Sequence, residues 1–284
     1  RTQMDAEFPP EEPPVAVESA VDAELSAYAA TKVVLLPTLE EVQWRKRKKA
    51  LQQPLILDDE LSGEHLFMRF PRQQLAFEYA DSLLATHDAR VFSVELPHTS
   101  SGTRRYIVST FDEFYRRYTM ERPETRHYYE VIREGSACHL YFDLEFDRLS
   151  NPELTDTSEL MESFRSLLFS AIRTRFGLHC SRRELIELDS STEKKFSRHV
   201  ILRLGSDVAW ENNRECGHFV NRLLLLDTTH RLTVKNKHGK PDSFIDRSVY
   251  SRNRNFRLLG CCKAQRPGAV LRFAADNTYE VEDA

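Results

Sequence analysis

The stretch His139-Leu-Tyr-Phe-Asp-Leu-Glu-Phe146 carries the first residues whose types and spacing could do chemistry. Its alternation predicts a strand with Leu140, Phe142, Leu144 and Phe146 on one face and His139, Tyr141, Asp143 and Glu145 on the other. Two carboxylates then stand on one face roughly 6–7 Å apart, where ionised acids repel unless cations or water intervene. Polymerases and nucleases commonly meet this with two hard divalent ions about 3.5–4 Å apart. An amphipathic edge strand with a wet acidic face is the plain structural alternative. Ser243-Phe-Ile-Asp-Arg-Ser-Val-Tyr250 offers a third acid, Asp246, in another predicted strand, and three carboxylates converge if the two strands are neighbours.

Two further groups suit phosphate. In Glu193-Lys-Lys-Phe-Ser-Arg-His-Val-Ile-Leu-Arg203, a strand period places Ser197, His199, Ile201 and Arg203 together, so hydroxyl and imidazole can hydrogen-bond phosphate oxygens while Lys195 adds charge. A Ser-His nucleophile pair is disfavoured, because adjacent same-face residues seldom make that bond and no elbow motif surrounds Ser197. Arg252-Asn-Arg-Asn-Phe-Arg-Leu258 then concentrates guanidinium and amide donors next to the third acid, which suits a triphosphate or a template backbone better than a bare surface turn.

These groups need elements to position them. Periodicity predicts helices near 72–86, 111–120, 153–176 (closed by Gly177) and 212–226. Strands are predicted near 90–96, 105–110, 128–133, 138–146, 185–190, 197–204, 243–250, 255–260 and 269–275. Without strict strand-helix alternation, this is an α+β pattern with antiparallel sheet prominent.

Residues 1–37 read as a weakly ordered leader, rich at first in Pro, Glu and Ala. Residues 38–70 read as a basic helix and linker, and Trp44-Arg-Lys-Arg-Lys-Lys49 is a solvated face, a localisation signal or a phosphate contact. Five cysteines without zinc-ligand spacing point to a reducing compartment and no zinc site. No apolar run approaches the ~20 residues of a membrane span, so a soluble chain with no membrane partner is expected. A start at Arg1 is compatible with a piece of a longer protein.

In combination these motifs resemble the primase-polymerases of the archaeo-eukaryotic primase superfamily. Leu140-Tyr-Phe-Asp-Leu-Glu-Phe146 is similar to the family's first motif, Leu188 to His199 to its second and Ile245 to Leu258 to its third. Arg72-Gln-Gln-Leu-Ala-Phe77 and Tyr106-Ile-Val-Ser-Thr-Phe111 resemble the preceding segments, and the likeness spans roughly 71–262. It implies a catalytic core over 71–275, with an N-terminal αβ module (71–127), an RRM-like antiparallel sheet module (128–275) and a tail at 276–284. It also implies that Asp143, Glu145 and Asp246 are catalytic and hold two Mn2+ or Mg2+ ions. Arg104, Lys195, Ser197, His199, Arg254, Asn255, Arg257 and Lys263 would bind the incoming triphosphate, and Trp44, Arg45, Arg47 and Lys48 would touch nucleic acid.

The expected activity is template-directed extension of primers in damage tolerance or replication restart, by a monomer acting on a primed DNA template and nucleoside triphosphates. Single-strand-binding proteins would be met through regions outside this chain, and nucleus and mitochondrion are the expected compartments. The Cys/His module that relatives use to start primers has no counterpart after Asp246, so extension is expected ahead of de novo priming. A metal-dependent nuclease would explain the acids but not the triphosphate donors. A rolling-circle endonuclease needs a His pair where Ser197-Arg198-His199 supplies a single His. A silent nucleic-acid-binding module has no need of three intact acids.

Overall fold

The computed structural model describes residues 66–97, 102–205 and 208–279, together with the backbone of Val33–Leu35. The expected basic helix, including Trp44, Arg45, Arg47 and Lys48, lies outside the described residues.

The architecture is α+β, built on antiparallel sheets. One sheet has five strands in the order β12-β5-β3-β4-β2: β2 (Phe67–Phe70), β3 (Arg90–Glu95), β4 (Arg104–Ser109), β5 (Tyr128–Ile132) and β12 (Arg254–Arg257). Helices α1 (Gln73–Ser82) and α2 (Phe111–Met120) belong to separate cores on it, one around Phe77, Val91 and Val108, the other around Phe92, Ile107 and Phe114. Thr110 starts α2 by accepting a bond from the Glu113 N–H.

The other sheet has four strands in the order β13-β7-β8-β6: β6 (Leu140–Asp147), β7 (Leu185–Asp189), β8 (Lys195–Leu202) and β13 (Arg272–Phe273). The alternation in β6 behaves as expected on one face: Leu140, Phe142, Leu144 and Phe146 are buried in the largest core with residues of α3 (Ser158–Phe176) and α4 (Asn213–Leu225). Each such side chain stabilises by about 1.5–3 kcal/mol, enough to fix the register of β6. Helix α3 ends where expected, at Gly177 in the left-handed region with φ 67°.

Away from that core, β6 departs from a wet edge strand. Tyr141 is buried against Ile132, Val249 and Phe256, which joins the two sheets through a small apolar cluster. Two short ladders complete the fold: β1 (Val33–Leu35) pairs with β9 (Val208–Trp210), and β10 (Thr233–Lys235) with β11 (Pro241–Ser243).

The strand predicted over 243–250 is not formed. It stops at Ser243, and Asp246 instead caps a 3-10 turn, Arg247–Val249, accepting from the Ser248 N–H at 2.8 Å and the Ser248 hydroxyl at 2.9 Å. An Asp two residues before a Ser satisfies its own backbone, which competes with a ladder.

One glycine sits where a side chain would collide. A Cβ at Gly217 in α4 would stand 2.7 Å from Cβ of Tyr250. Gly217→Ala gains roughly 1 kcal/mol of helix propensity, but overpacking of this kind costs about 1–3 kcal/mol. The expected net result is destabilisation, read as a lower urea midpoint at unchanged slope.

Candidate active site

Pairing of β6 with β8 sets the site. The register places Asp143 opposite His199, Glu145 opposite Ser197 and Asp147 opposite Lys195. On its other edge β6 meets the segment carrying Asp246: the Asp246 N–H donates to the Asp143 carbonyl at 2.8 Å, and the Glu145 N–H to the Phe244 carbonyl at 3.0 Å. The acid expected from a neighbouring strand therefore does arrive beside β6, carried by a short bridge at Leu144 and Ile245.

Above these residues lies a cleft of about 340 Å³ whose walls come from both sheets. From the four-stranded sheet come Asp143, Glu145, Ser197 and His199; from the five-stranded sheet and its following turn come Glu95, Arg104, Tyr129, Arg254, Asn255, Arg257 and Lys263. Eleven expected site residues separate cleanly here. Arg104, Ser197, His199, Arg254, Asn255, Arg257, Lys263, Asp143 and Glu145 share the cleft; Asp246 does not, and lines an adjoining groove that Glu145 also lines. Lys195 faces that groove too, with its ammonium ion-paired to Glu145.

Five buried polar atoms lining the cleft have no hydrogen-bond partner: Asp143 Oδ1, His199 Nδ1, and Nε of Arg104, Arg254 and Arg257. Unsatisfied buried groups cost about 1–3 kcal/mol each, more when charged, so these five call for a polar partner within the cleft.

Neighbours hold these groups in position. Arg257 is buried, donating to Ser190 Oγ at 2.9 Å and to the Ala269 carbonyl at 3.2 Å. Asn255 accepts from the Ser93 hydroxyl at 2.7 Å through its side-chain oxygen, which leaves its amide N–H groups to donate. Arg104 lies over the Tyr129 ring at 4.7 Å, and the Tyr129 hydroxyl donates to Glu95 at 2.7 Å. Burial would raise the Glu95 pKa, but the Tyr129 hydroxyl, the Ala264 N–H and Arg104 outweigh it and hold the carboxyl below its ordinary value.

The charged groups shape one another. Burial first, then the charges of Glu145 and Asp246, push the Asp143 carboxyl up to about 7 against the pull of Lys195 and Lys263. Burial, then Arg257, Lys263, Arg254 and Lys195, hold His199 well below its usual value, so at neutral pH it is an uncharged imidazole stacked on Phe256 at 4.2 Å. Burial and then Arg257 and Lys195 lower Lys263.

The expected two-ion Mn2+ or Mg2+ site requires correction. Among the described residues no group of three or more His, Cys, Asp or Glu side chains could hold a metal ion. The physical reasons are local: Lys195 occupies Glu145, Asp246 turns its oxygens into its own cap, and Asp143 is a half-buried carboxyl drawn towards its neutral form rather than an exposed acid. Spacing put three acids near one another without aiming them at a common point.

Sequence reasoning missed Glu95, Tyr129 and Ser190, whose roles arise from contacts between distant segments. It also missed Phe256 as the platform under His199, although Phe256 stands within the Arg254–Arg257 strand.

No protein-family model matches the chain. It is similar to a DNA-directed primase/polymerase protein of Danio rerio, 32% identical over 242 residues, covering 74% of this chain and 45% of that protein. The namesakes in Homo sapiens (30% over 275 residues; 74% and 48%) and Mus musculus (29% over 282 residues; 83% and 51%) are also similar. The chain belongs to the primase-polymerase family. It spans about half the length of the curated relatives it matches. Among the described residues of this primase-polymerase chain, no helix is long and apolar enough to cross a membrane.

Proposed function

We propose that the cleft binds a nucleoside triphosphate and that the chain catalyses template-directed nucleotidyl transfer, extending a primer on DNA. The observation that carries this reading is the cluster of unpartnered guanidinium, imidazole and carboxyl atoms in one cleft between the sheets. Arg104, Arg254, Asn255, Arg257 and Lys263 are the phosphate donors, Ser197 and neutral His199 complete the hydrogen bonds, and Lys195 stands at the edge by Glu145. The primer 3′ oxygen bonds to the α-phosphorus as the bond to the β-phosphate bridge breaks and pyrophosphate leaves. Asp143 takes up the hydroxyl proton, a role that suits a carboxyl held near 7. Glu145 and Asp246 keep Asp143 basic enough to do so. In this reading the four-stranded sheet is the RRM-like module, residues 71–127 the αβ module, and the basic segment from Trp44 to Lys48 an additional nucleic-acid contact.

The test is extension of an end-labelled primer on DNA templates of different sequence, with deoxynucleoside triphosphates supplied as their divalent salts. Products that follow the template support the reading. Shortening of the labelled strand would replace it with a nuclease, and nucleotide binding without either product would replace it with a silent binding module.

Arg257→Ala is expected to weaken nucleotide binding roughly 10–100-fold, since hydrogen bonds to charged groups contribute about 1.5–3 kcal/mol. Binding of the DNA should be largely kept. Arg257→Lys retains the charge and loses the fork, so it should recover only part of the affinity. Calorimetric titration of each variant with a non-hydrolysable triphosphate checks this, and parental affinity in the alanine variant would remove Arg257 from the site.

A further inference from the structure

Two of the five free cysteines lie outside the cleft lining and beside each other. Cys138 stands two residues ahead of β6 and Cys216 near the start of α4, 78 residues apart in sequence, yet their Sγ atoms are 3.7 Å apart. Both sit on fixed backbone. Cys138 exchanges two bonds with Trp210, its N–H donating at 3.1 Å and its carbonyl accepting at 2.8 Å. Cys216 donates its N–H at 3.2 Å to the carbonyl of Asn212, the residue that caps α4. Their exposure differs, Cys216 being fully buried and Cys138 half-buried. Burial first, then the Cys138 thiol, push the Cys216 thiol well above its ordinary value. Cys216 is thus a protected thiol, and Cys138 is the sulfur that a reagent from solvent meets first.

We propose that Cys138 and Cys216 form a peroxide-responsive thiol pair whose disulfide fastens α4 to the start of β6. The Cys138 thiolate bonds to one oxygen of hydrogen peroxide as the O–O bond breaks; hydroxide leaves and takes up the thiol's proton as water, and Cys138 becomes a sulfenic acid. The Cys216 sulfur then bonds to the Cys138 sulfur as the S–O bond breaks, and the Cys216 proton departs with the hydroxyl as a second water. Two thiols are oxidised and one peroxide is reduced. The sulfurs need only close from 3.7 Å to roughly 2.05 Å. In a reducing compartment such a bond forms under oxidant and is reversed by thiols.

The fastening reaches beyond the two sulfurs. Asn213, in the first turn of α4, donates its amide to the Ser251 carbonyl at 2.7 Å, Gly217 lies against Tyr250, and the Tyr250 hydroxyl donates to the Tyr141 carbonyl at 2.6 Å. The segment after Asp246 is already clasped between α4 and β6, and the disulfide closes that clasp covalently.

The experiment treats the full chain with hydrogen peroxide, alkylates the remaining thiols in denaturant, and maps the digest with and without reductant. The expected product is a linked pair of peptides holding Cys138 and Cys216, with Cys180, Cys261 and Cys262 still alkylated and full reversal by dithiothreitol. The melting temperature of the oxidised chain should rise by roughly 4–16 °C and return on reduction, because the bond closes a long loop. Cys216→Ser should leave Cys138 as a sulfenic acid that a 1,3-dione traps, whereas Cys138→Ser should leave Cys216 a thiol. Mapping and melting use the parental chain, so they decide the matter even where a serine variant does not fold. Peroxide that leaves both thiols free, carries Cys138 to a sulfinic acid without a link, or joins the pair only in the urea-unfolded chain would overturn the proposal. A linked chain that melts at or below the parental temperature would do the same.

Discussion

Replacing Asp143 by asparagine is expected to abolish primer extension while making the protein more stable above pH 7. The folded carboxyl is held at about 7, against an ordinary value of 3.8. Between these values the folded state keeps a proton that the unfolded chain has released, so stability falls as pH rises through the window and levels off above it. The contribution is fully present below the unfolded value and lost at alkaline pH. Asparagine occupies the same volume and never ionises, so its unfolding free energy should lack this slope. At pH 8 the variant should exceed the parent by up to a few kcal/mol, shared with Glu145 and Asp246, which raise Asp143, and tempered by Lys195 and Lys263, which lower it. At pH 3.5 the two should coincide. Extension, in contrast, loses its proton acceptor, a role typically contributing 10²–10⁴-fold. Urea unfolding at both pH values and the extension assay check the pair of effects: parallel stability curves would mean that Asp143 ionises normally in the fold, and parental extension would take it out of the reaction.

Glu187→Ala is expected to be the most damaging change away from the cleft. Arg165 of α3 forks onto Glu187 of β7 with bonds of 2.9 and 2.8 Å, and their side chains are only 4% and 1% exposed. Arg198 reaches the same carboxylate at 3.4 Å, and Asp276 contacts both arginines at 2.7 and 3.0 Å. Removing Glu187 leaves the buried Arg165 charge with only the more exposed Asp276 and Glu162 as partners, a loss approaching the roughly 3–5 kcal/mol of a broken buried pair. At roughly 2–4 °C per kcal/mol for a domain of this size, the melting temperature should drop by about 6–20 °C. Asp276→Ala removes a 42% exposed partner, where screening by water leaves a much smaller effect. Exchanging Arg165 and Glu187 together for Met and Leu should recover most of the loss, because well-packed apolar residues can replace a buried ion pair. A Glu187→Ala protein melting within about 2 °C of the parent would rule out this network as a major support.

Much of the fold was readable because one-sided burial leaves a periodic trace. The alternation from Leu140 to Phe146, the left-handed Gly177 and the 3.6-residue period of α4 all correspond to formed elements. The strand expected through Asp246 was misread because Phe244, Ile245 and Val249 mimic a strand pattern, whereas the Asp246 to Ser248 bond decides the backbone. Within the site, the β6 and β8 residues share a face by spacing alone. Their opposite wall does not: Arg104 and Lys263 were reached through family resemblance, while Glu95 and Tyr129 left no local signal. The two-ion expectation failed for a related reason. Same-face spacing fixes where two Cβ atoms stand, but the Lys195 contact that occupies Glu145 belongs to the register between strands.

The cleft has one wall on each sheet, and Arg257 from one sheet reaches Ser190 beside the other. Arg104, Arg254, Arg257 and Lys263 therefore crowd like charge into the joint between two layers. These cations repel one another across the joint, and the apolar cluster of Ile132, Tyr141, Val249 and Phe256 opposes that repulsion. On the proposed nucleotide-binding reading, a triphosphate between these cations would reverse the sign of that force and tie the two layers together.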